Sequence, residues 1–455
     1  MFFSTNNEML EATIVRKLRT SQMNGWQEFT FQFIHPSDST LSTVYINRID
    51  EFKIERNFAA NYTDNITLSL KLVPEEFLKV VRAYDGLRCA ISFQDADFPY
   101  GGTILESPPR QYEYRVLIEN PADLLKKFSS REFLKPEEDP DSDTYNSMAI
   151  PLSMQLISDV VYEKRHISIN SNLLEVTPEE MIYFVANTFN CTSVKVIPPD
   201  NQNKYEQIPI PPMLELSNAL NFIQERYGAY NKGMGFYFSG ETLFVFPAFE
   251  NEPEQSNTLA PGVFNFYKIA TNAYEGADCY VAEEGSDYHC MVNRPVTITD
   301  ISESSMENIG NAQMVTRSTT AYDVYRKVDE DKIMMNEDRT ITVVGSEINA
   351  ADTSMQNAKY TEPQDNVHQE MSRMAAGNCA IANVQLLGLD PYLITPNHPC
   401  VYHFEDQQTY KTLKGVIVGV ISSFEYVGRP VDHVYNFNTA LVLRLVPDKK
   451  SVETE

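Results

Sequence analysis

Residues 66–75 read Ile-Thr-Leu-Ser-Leu-Lys-Leu-Val-Pro-Glu, and residues 441–448 read Leu-Val-Leu-Arg-Leu-Val-Pro-Asp. In the first stretch Ile66, Leu68, Leu70 and Leu72 alternate with Thr67, Ser69 and Lys71. That period of two belongs to a half-buried antiparallel strand, whose successive side chains leave opposite faces. In the second, Leu441, Leu443 and Leu445 keep the period, and Val446 and Pro447 close it as Val73 and Pro74 close the first. Upstream, Ile49, Phe52 and Ile54 precede one stretch; Ile421, Phe424 and Tyr426 precede the other, in the same order with one residue of slippage. The echo favours two related β-domains bracketing the middle of the chain. Alternating leucines ended by proline are also what any isolated strand end looks like, so that reading stays open.

Working outward, 455 residues correspond to about three domains at ~100–200 residues each, long enough for each to bury a core. The expected class is α+β, predominantly β: two antiparallel β-domains, 1–115 and 251–455, around a mixed α/β region at 116–250. Period two dominates from Phe29 to Phe93, interrupted at Pro74 to Tyr84, where Phe77, Leu78, Val80, Val81 and Tyr84 share a helical face behind a first-turn proline. Thr177-Pro178-Glu179-Glu180 is a capping box that opens a helix with Met181, Ile182, Phe184, Val185 and Phe189 on its apolar side. A second helix is expected from about Pro212 to Tyr227 with Leu216, Leu220, Ile223 and Tyr227 on one side and Gly228 as a left-handed cap. Phe236–Phe238 and Leu243–Phe246 flank Ser239-Gly240-Glu241, a hairpin signal.

Two stretches break the pattern. Residues 131–145 bring Glu132, Glu137, Glu138, Asp139, Asp141 and Asp143 together with Pro136 and Pro140, and like-charge repulsion with missing amide donors predicts an exposed boundary. Residues 347–378 are rich in Asn, Gln, Ser, Met and Ala without a sustained period, which predicts an insertion, arm or partner-contact segment.

The 37 Lys and Arg against 63 Asp and Glu leave a net charge of −26, which excludes the basic footprint that phosphate binding requires. Cys89, Cys191, Cys279, Cys290, Cys379 and Cys400 contain no Cys-x-x-Cys pair and predict free thiols made in a reducing compartment. Met1 to Glu8 reads neither as a basic n-region nor as an apolar h-region, so no secretion signal is expected. The uncharged run from Gly415 to Phe424 has ten residues, short of the ~20 a membrane-crossing helix needs, and reads as a buried strand.

Catalytic signatures are wanting. There is no Gly-x-Ser-x-Gly elbow, Walker loop or His-Glu-x-x-His helix, and Gly233 and Gly235 continue into Phe236, Tyr237 and Phe238. Asp329, Glu330 and Asp331 lack calcium-loop spacing and read as a solvated turn. His368, Glu370, Pro399, Cys400 and His403 faintly echo a zinc deaminase, but the second cysteine is missing. If 400–404 is a strand, Cys400 and His403 point to opposite faces, which leaves a buried thiol and a surface histidine. Glu138 and Asp141 read as a loop of like charges, because a glycosidase pair must converge across ~5–9 Å of cleft. The 25 Tyr and 25 Phe against Trp26 alone read mainly as core and strand residues, with interface use as the alternative. No catalytic, cofactor-binding or metal residue is assigned.

At Tyr205, Gln207, Ile208, Pro209, Ile210, Pro211 and Pro212, ending Tyr227-Gly228-Ala229-Tyr230, the chain resembles the baseplate hub proteins of contractile-tailed bacteriophages. The β-rich first hundred residues, the Thr177 helix, the second helix, the aromatic hairpin and the closing β-domain extend that resemblance over most of the chain. It implies two tube-like β-barrels per chain and a homotrimer whose pseudo-sixfold ring joins the tail tube protein to a central spike protein. Other baseplate and tape-measure proteins would be neighbours, and the genome would pass through the channel on ejection without specific nucleic-acid binding. The resemblance places the protein in the virion tail baseplate after synthesis in the host bacterial cytoplasm, with no stable membrane insertion, no cofactor and no enzymatic activity. Related hubs form the N-terminal part of type VI secretion spike proteins, where the needle is fused; here a separate spike is expected. The 131–145 and 347–378 stretches have no counterpart in the resemblance. A cell-wall or polysaccharide hydrolase and a peripheral receptor-binding tail protein are the alternatives.

Overall fold

The computed structural model describes residues 26–34, 46–59, 62–95, 110–129, 150–164, 167–250, 259–260, 262–268, 281–292, 297–300, 333–335, 341–343, 379–387, 389–406, 409–426 and 434–446. The 131–145 loop, the 347–378 stretch, His368, Glu370 and Asp329 to Asp331 lie outside the described residues.

The first region holds β1 (Trp26–Ile34), β2 (Ile46–Asn57), β3 (Asn65–Leu72), helix α1 (Pro74–Arg82), β4 (Arg88–Asp95), β5 (Arg110–Leu117), helix α2 (Pro121–Ser129) and β6 (Ile150–Ile157). The middle region runs α3 (Asp159–Lys164), β7 (Ser168–Val176), α4 (Pro178–Thr188), β8 (Ser193–Val196), β9 (Tyr205–Glu215), α5 (Leu216–Tyr227), β10 (Met234–Ser239) and β11 (Thr242–Pro247). The last region opens with β12 (Phe264–Tyr267), β13 (Val281–Glu284), β14 (Asp287–Met291), β15 (Thr297–Asp300), β16 (Ile333–Met335) and β17 (Ile341–Val343). It closes with β18 (Ala380–Leu387), β19 (His398–Asp406), β20 (Thr409–Tyr426) and β21 (Val434–Leu445). No described helix is long and apolar enough to cross a membrane.

Strand dominates, as expected, and the strands of the two barrels implied by the resemblance share one sheet. Among the described residues one 14-stranded sheet runs through both ends of the chain, in the order β13-β14-β12-β19-β20-β2-β3-β6-β5-β4-β1-β21-β18-β15, with β20 also paired to β21. The echoing segments are therefore neighbours in one sheet: β2 pairs with β20, and Phe52 stacks on Phe424 at 4.3 Å. Their registers differ as well. Phe52 lies opposite Leu68, whereas Phe424 lies opposite Phe437, ahead of Leu441.

Local chemistry explains the elements. In β3 the residues Ile66, Leu68, Leu70 and Leu72 are all fully buried, each contributing about 1.5–3 kcal/mol by leaving water. Helix α1 starts at its proline, carries Glu75 and Glu76 in the first turn and Lys79 and Arg82 in the last, and buries Phe77, Val80 and Val81, so its charges complement the helix dipole. It ends at Arg82, and Tyr84, expected on the apolar face, is 49% exposed beyond the last turn. In α4 the capping box is complete: Thr177 Oγ1 accepts from Glu180 N–H while the Glu180 carboxylate accepts from Thr177 N–H.

Helix α5 corrects the expected start. Residues 212–215 belong to β9, and the helix begins at Leu216. Pairing of Pro209 with Asn172 and of Leu214 with Ile169 holds this stretch extended, and each proline also biases the residue before it away from helix. The other end is as expected: Gly228 has φ 59° and its N–H reaches Gln224 O, a conformation glycine adopts without a Cβ penalty.

Three apolar cores result, one per region. The first gathers β1 to β6 under α1, the middle one lies among β7, β9, α4 and α5, and the last lies among β12, β14 and β18 to β21. The β10–β11 hairpin turns at Gly240, whose φ is 58°. It sends Phe236, Phe238, Leu243 and Val245 into the middle core, and Tyr237, Phe244 and Phe246 into the last. Alternation thus makes one hairpin a shared wall, buried on both faces.

Candidate functional site

The three regions meet at Arg56. Along β2 and just past its end the inward positions run Phe52, Ile54, Arg56, Phe58, all buried, so strand periodicity drives a guanidinium into the interior. Arg56 is 1% exposed, and such burial is tolerable only where the charge is paired and its N–H groups are satisfied. Nε donates to Asp64 Oδ1 at 2.9 Å, Nη1 donates to Pro391 O at 2.6 Å and Ile394 O at 2.7 Å, and Nη2 donates to Ser239 Oγ at 3.1 Å. Each region therefore supplies an acceptor. The rings of Phe58, Tyr237 and Tyr392 lie 5.2–5.9 Å from the guanidinium carbon, adding cation–π attraction where water is excluded.

Asp64 is the matching anion. Besides Arg56, its Oδ1 accepts from the Tyr237 hydroxyl at 2.6 Å and its Oδ2 from the Tyr114 hydroxyl at 3.1 Å. Tyr114 and Tyr392 oxygens are 2.6 Å apart; because the Tyr114 proton is given to Asp64, Tyr392 is the donor between them. Burial, then the nearby Asp64 charge, pushes the Tyr237 and Tyr392 hydroxyls well above the ordinary phenol range; Tyr114 is raised first by burial. They stay protonated donors. Burial by itself would lower the Arg56 pKa, but Asp64 and the two tyrosines outweigh it and leave the guanidinium more firmly charged.

A second ion pair, Arg110 with Asp390, closes the junction toward solvent. Asp390 also caps the short turn that presents Tyr392, accepting Tyr392 N–H at 2.8 Å, while Tyr112 stacks on Tyr392 at 4.0 Å. The middle hairpin is further held by a backbone bond from Phe238 N–H to Tyr62 O at 2.7 Å.

Of the zinc-deaminase echo, Pro399, Cys400 and His403 lie among the described residues, and Cys400 and His403 do not converge. Cys400 is buried in the last core, while His403, next but two on β19, is half-buried on the opposite face. Contrary to the expectation of a plain surface histidine, His403 stacks on Tyr267 at 4.6 Å, and the Tyr267 hydroxyl lies 3.0 Å from His289 Nδ1. Burial, then the neighbouring His289, pushes His403 down to about 4. His398, edge-on to Phe264 at 4.7 Å, is pushed down to about 3 by burial. Glu138, Asp141, His368 and Glu370 lie outside the described residues. Among those described, no group of three or more His, Cys, Asp or Glu side chains is arranged to hold a metal ion.

The chemistry of the Arg56 junction is cohesive. It contains a buried cation, the Asp64 carboxylate and protonated phenols, bonded to one another and to the Ser239, Pro391 and Ile394 oxygens. The sequence reading missed it, although one signal was present: a charged residue in phase with the inward positions 52, 54 and 58.

A family model described as the Bacteriophage PBS1 gene 109 protein matches residues 45–259. No curated protein matches the sequence. Among solved structures, the tail protein from Neisseria meningitidis MC58 is similar with a TM-score of 0.46 and 12% identity, over 92% of this chain and 97% of that one. The 43 kDa tail protein of prophage MuSo2 from Shewanella oneidensis gives 0.42 and 11%, over 92% and 99%. The E. coli c3393 protein, described as a component of the type VI secretion system with structural similarity to T4 bacteriophage tail proteins, gives 0.39 and 10%, over 92% and 77%. The segment Tyr205 to Tyr230 falls inside the residues that this family model matches.

Proposed function

We propose that this chain is a structural protein of a bacteriophage tail and, within the tail, the baseplate hub. The observation that carries the reading is the family match over residues 45–259, which contains the segment whose sequence resembles contractile-tail hubs. In this reading the chain forms a homotrimer, and its β-regions line a pseudo-sixfold ring between the tail tube and a central spike. A mixed outer region lies between the ring-forming β-regions, its first boundary after β6 (Ile150–Ile157), which packs in the first core, and its second near 250. The −26 charge suits a lumen that DNA passes without adhering, since like charges repel within a Debye length. The Arg56 junction supports a mechanical role, because it ties three regions together without leaving a reactive group.

Light scattering of the purified chain with negative-stain class averages tests the reading. A trimer with an axial hole and six similar lobes is the expected result. Labelled protein found at the rim of the tail instead of on its axis would replace the hub with a receptor-binding role, and turnover of peptidoglycan by the isolated chain would replace it with a hydrolase.

A further inference from the structure

We infer that the paired strands β20 and β21 are a lock that joins the first and last regions into one cooperative folding unit, so that the first region completes its pairing only when residues 409–426 and 434–445 are in place. The inference is independent of the tail reading. It begins with the division of labour along two strands. The base of β20, residues 409–417, pairs with β19, whereas residues 419–423 pair with β2. Likewise residues 438–445 of β21 pair with β18, whereas 434–436 pair with β1. One hairpin thus lies in the last region at its base and in the first region toward its tip.

The crossing point has its own device. The β20–β21 register shifts between Ile417 and Gly419, a bulge of the kind that bends a strand where it leaves one sheet region for another. At that shift Phe58 N–H donates to Val418 O at 3.0 Å. At the base, a Cβ on Gly415 would lie 2.1 Å from Arg444 O, so only glycine permits this approach of β20 to β21. Inside the hairpin the buried pair Ser422 and Thr439 is 2.7 Å apart, and the Thr439 hydroxyl donates to Leu389 O at 2.8 Å. The hairpin is thereby fixed to the segment that leads to Pro391 and Ile394.

Following the pairings, β20, β2, β3, β6, β5, β4, β1 and β21 lead back to β20. Without the hairpin, β1 and β2 would each present an unpaired edge, a row of open donors and acceptors. Arg56 also takes two of its acceptors, the Pro391 and Ile394 carbonyls, from the segment that the hairpin holds through Thr439 and Leu389 O, so loss of that hold would leave a buried cation incompletely bonded. Both defects oppose a stable first region on its own, and both are repaired by residues more than three hundred positions downstream.

Hydrogen exchange of the full chain, native against Leu443→Ala, tests the lock. Leu443 is buried in the last core and absent from the first. Under one cooperative unit, the slowest amides of β3 and β6 exchange faster by the same factor as those of β18, on the order of thirtyfold or more for such a cavity. Acceleration confined to the last region, with β3 and β6 unchanged, would overturn the inference. If Leu443→Ala does not fold, Ile417→Val, a smaller deletion in the same core, gives the same comparison at roughly threefold.

Discussion

The first and last regions bury the same sheet with different chemistry. Strands β1 to β6 pair only antiparallel with one another and fill their core with aliphatic and aromatic side chains. In the last region β12 lies between two parallel partners, β14 and β19, and His289 and His398 are buried beside it. All three described histidines, 289, 398 and 403, belong to that region. The difference teaches that, among the described residues, one continuous sheet concentrates its buried imidazoles at one end, and that end is expected to answer to mild acid.

The largest expected effect comes from charge in either core. Leu70→Asp or Leu443→Asp places a carboxylate on a fully buried strand face, at a cost of several kcal/mol even after neutralisation, and each is expected to abolish folded protein in circular dichroism. Equal loss from both would support shared cooperativity; unchanged melting of either would mean its strand faces are inverted.

Next comes the junction between the regions. Arg56→Met leaves the Asp64 carboxylate buried without its cation, and about 3–5 kcal/mol of stability should be lost in urea unfolding. Arg56→Met combined with Asp64→Leu should recover part of that loss, because no charge is then stranded. A double variant no better than the single would show that the pair is not the source.

The comparison sharpens with pH. The folded pKa values of His398 and His403 lie near 3 and 4, against roughly 6.5 in an unfolded chain. Between those values the unfolded state binds more protons, so stability is fully present above about pH 6.5 and declines as pH falls toward 4. Melting temperature measured from pH 7.5 to 4 should fall, and His403→Gln should flatten part of that fall. An unaltered slope in that variant would assign the acid response to other groups.

The smallest effect is in the middle region. Thr177→Ala removes one half of the capping box of α4 and should cost about 1 kcal/mol, read as a small shift of the urea midpoint without a change of slope.

Elements governed by neighbours in sequence were legible. The alternation at 66–72, the Thr177 box, the Gly228 cap and the Gly240 hairpin each depend on contacts within a few residues, and each is present. The start of α5 was not, because the pairing of β9 with β7 outweighed a local proline signal. Tyr84 fell outside its helix for a similar reason: the chain turns at Ala83 to reach β4. At the candidate site Arg56 was visible only as an anomaly of phase, since its acceptors at Ser239, Pro391 and Ile394 are remote in the chain.

The sequence by itself determined the strand-rich class, the inward and outward faces of β3 and β21, the caps of α4 and α5, and the acidic character of the chain. These follow from side-chain period, backbone preference and charge, which are properties of short segments. Tertiary structure alone decided that the two echoing hairpins lie in one sheet, that β20 and β21 serve both ends of the chain, and that Arg56 finds its partners in three regions. Such pairings are selected by which buried donors and edges remain unsatisfied once the chain is compact, and no short segment contains that information.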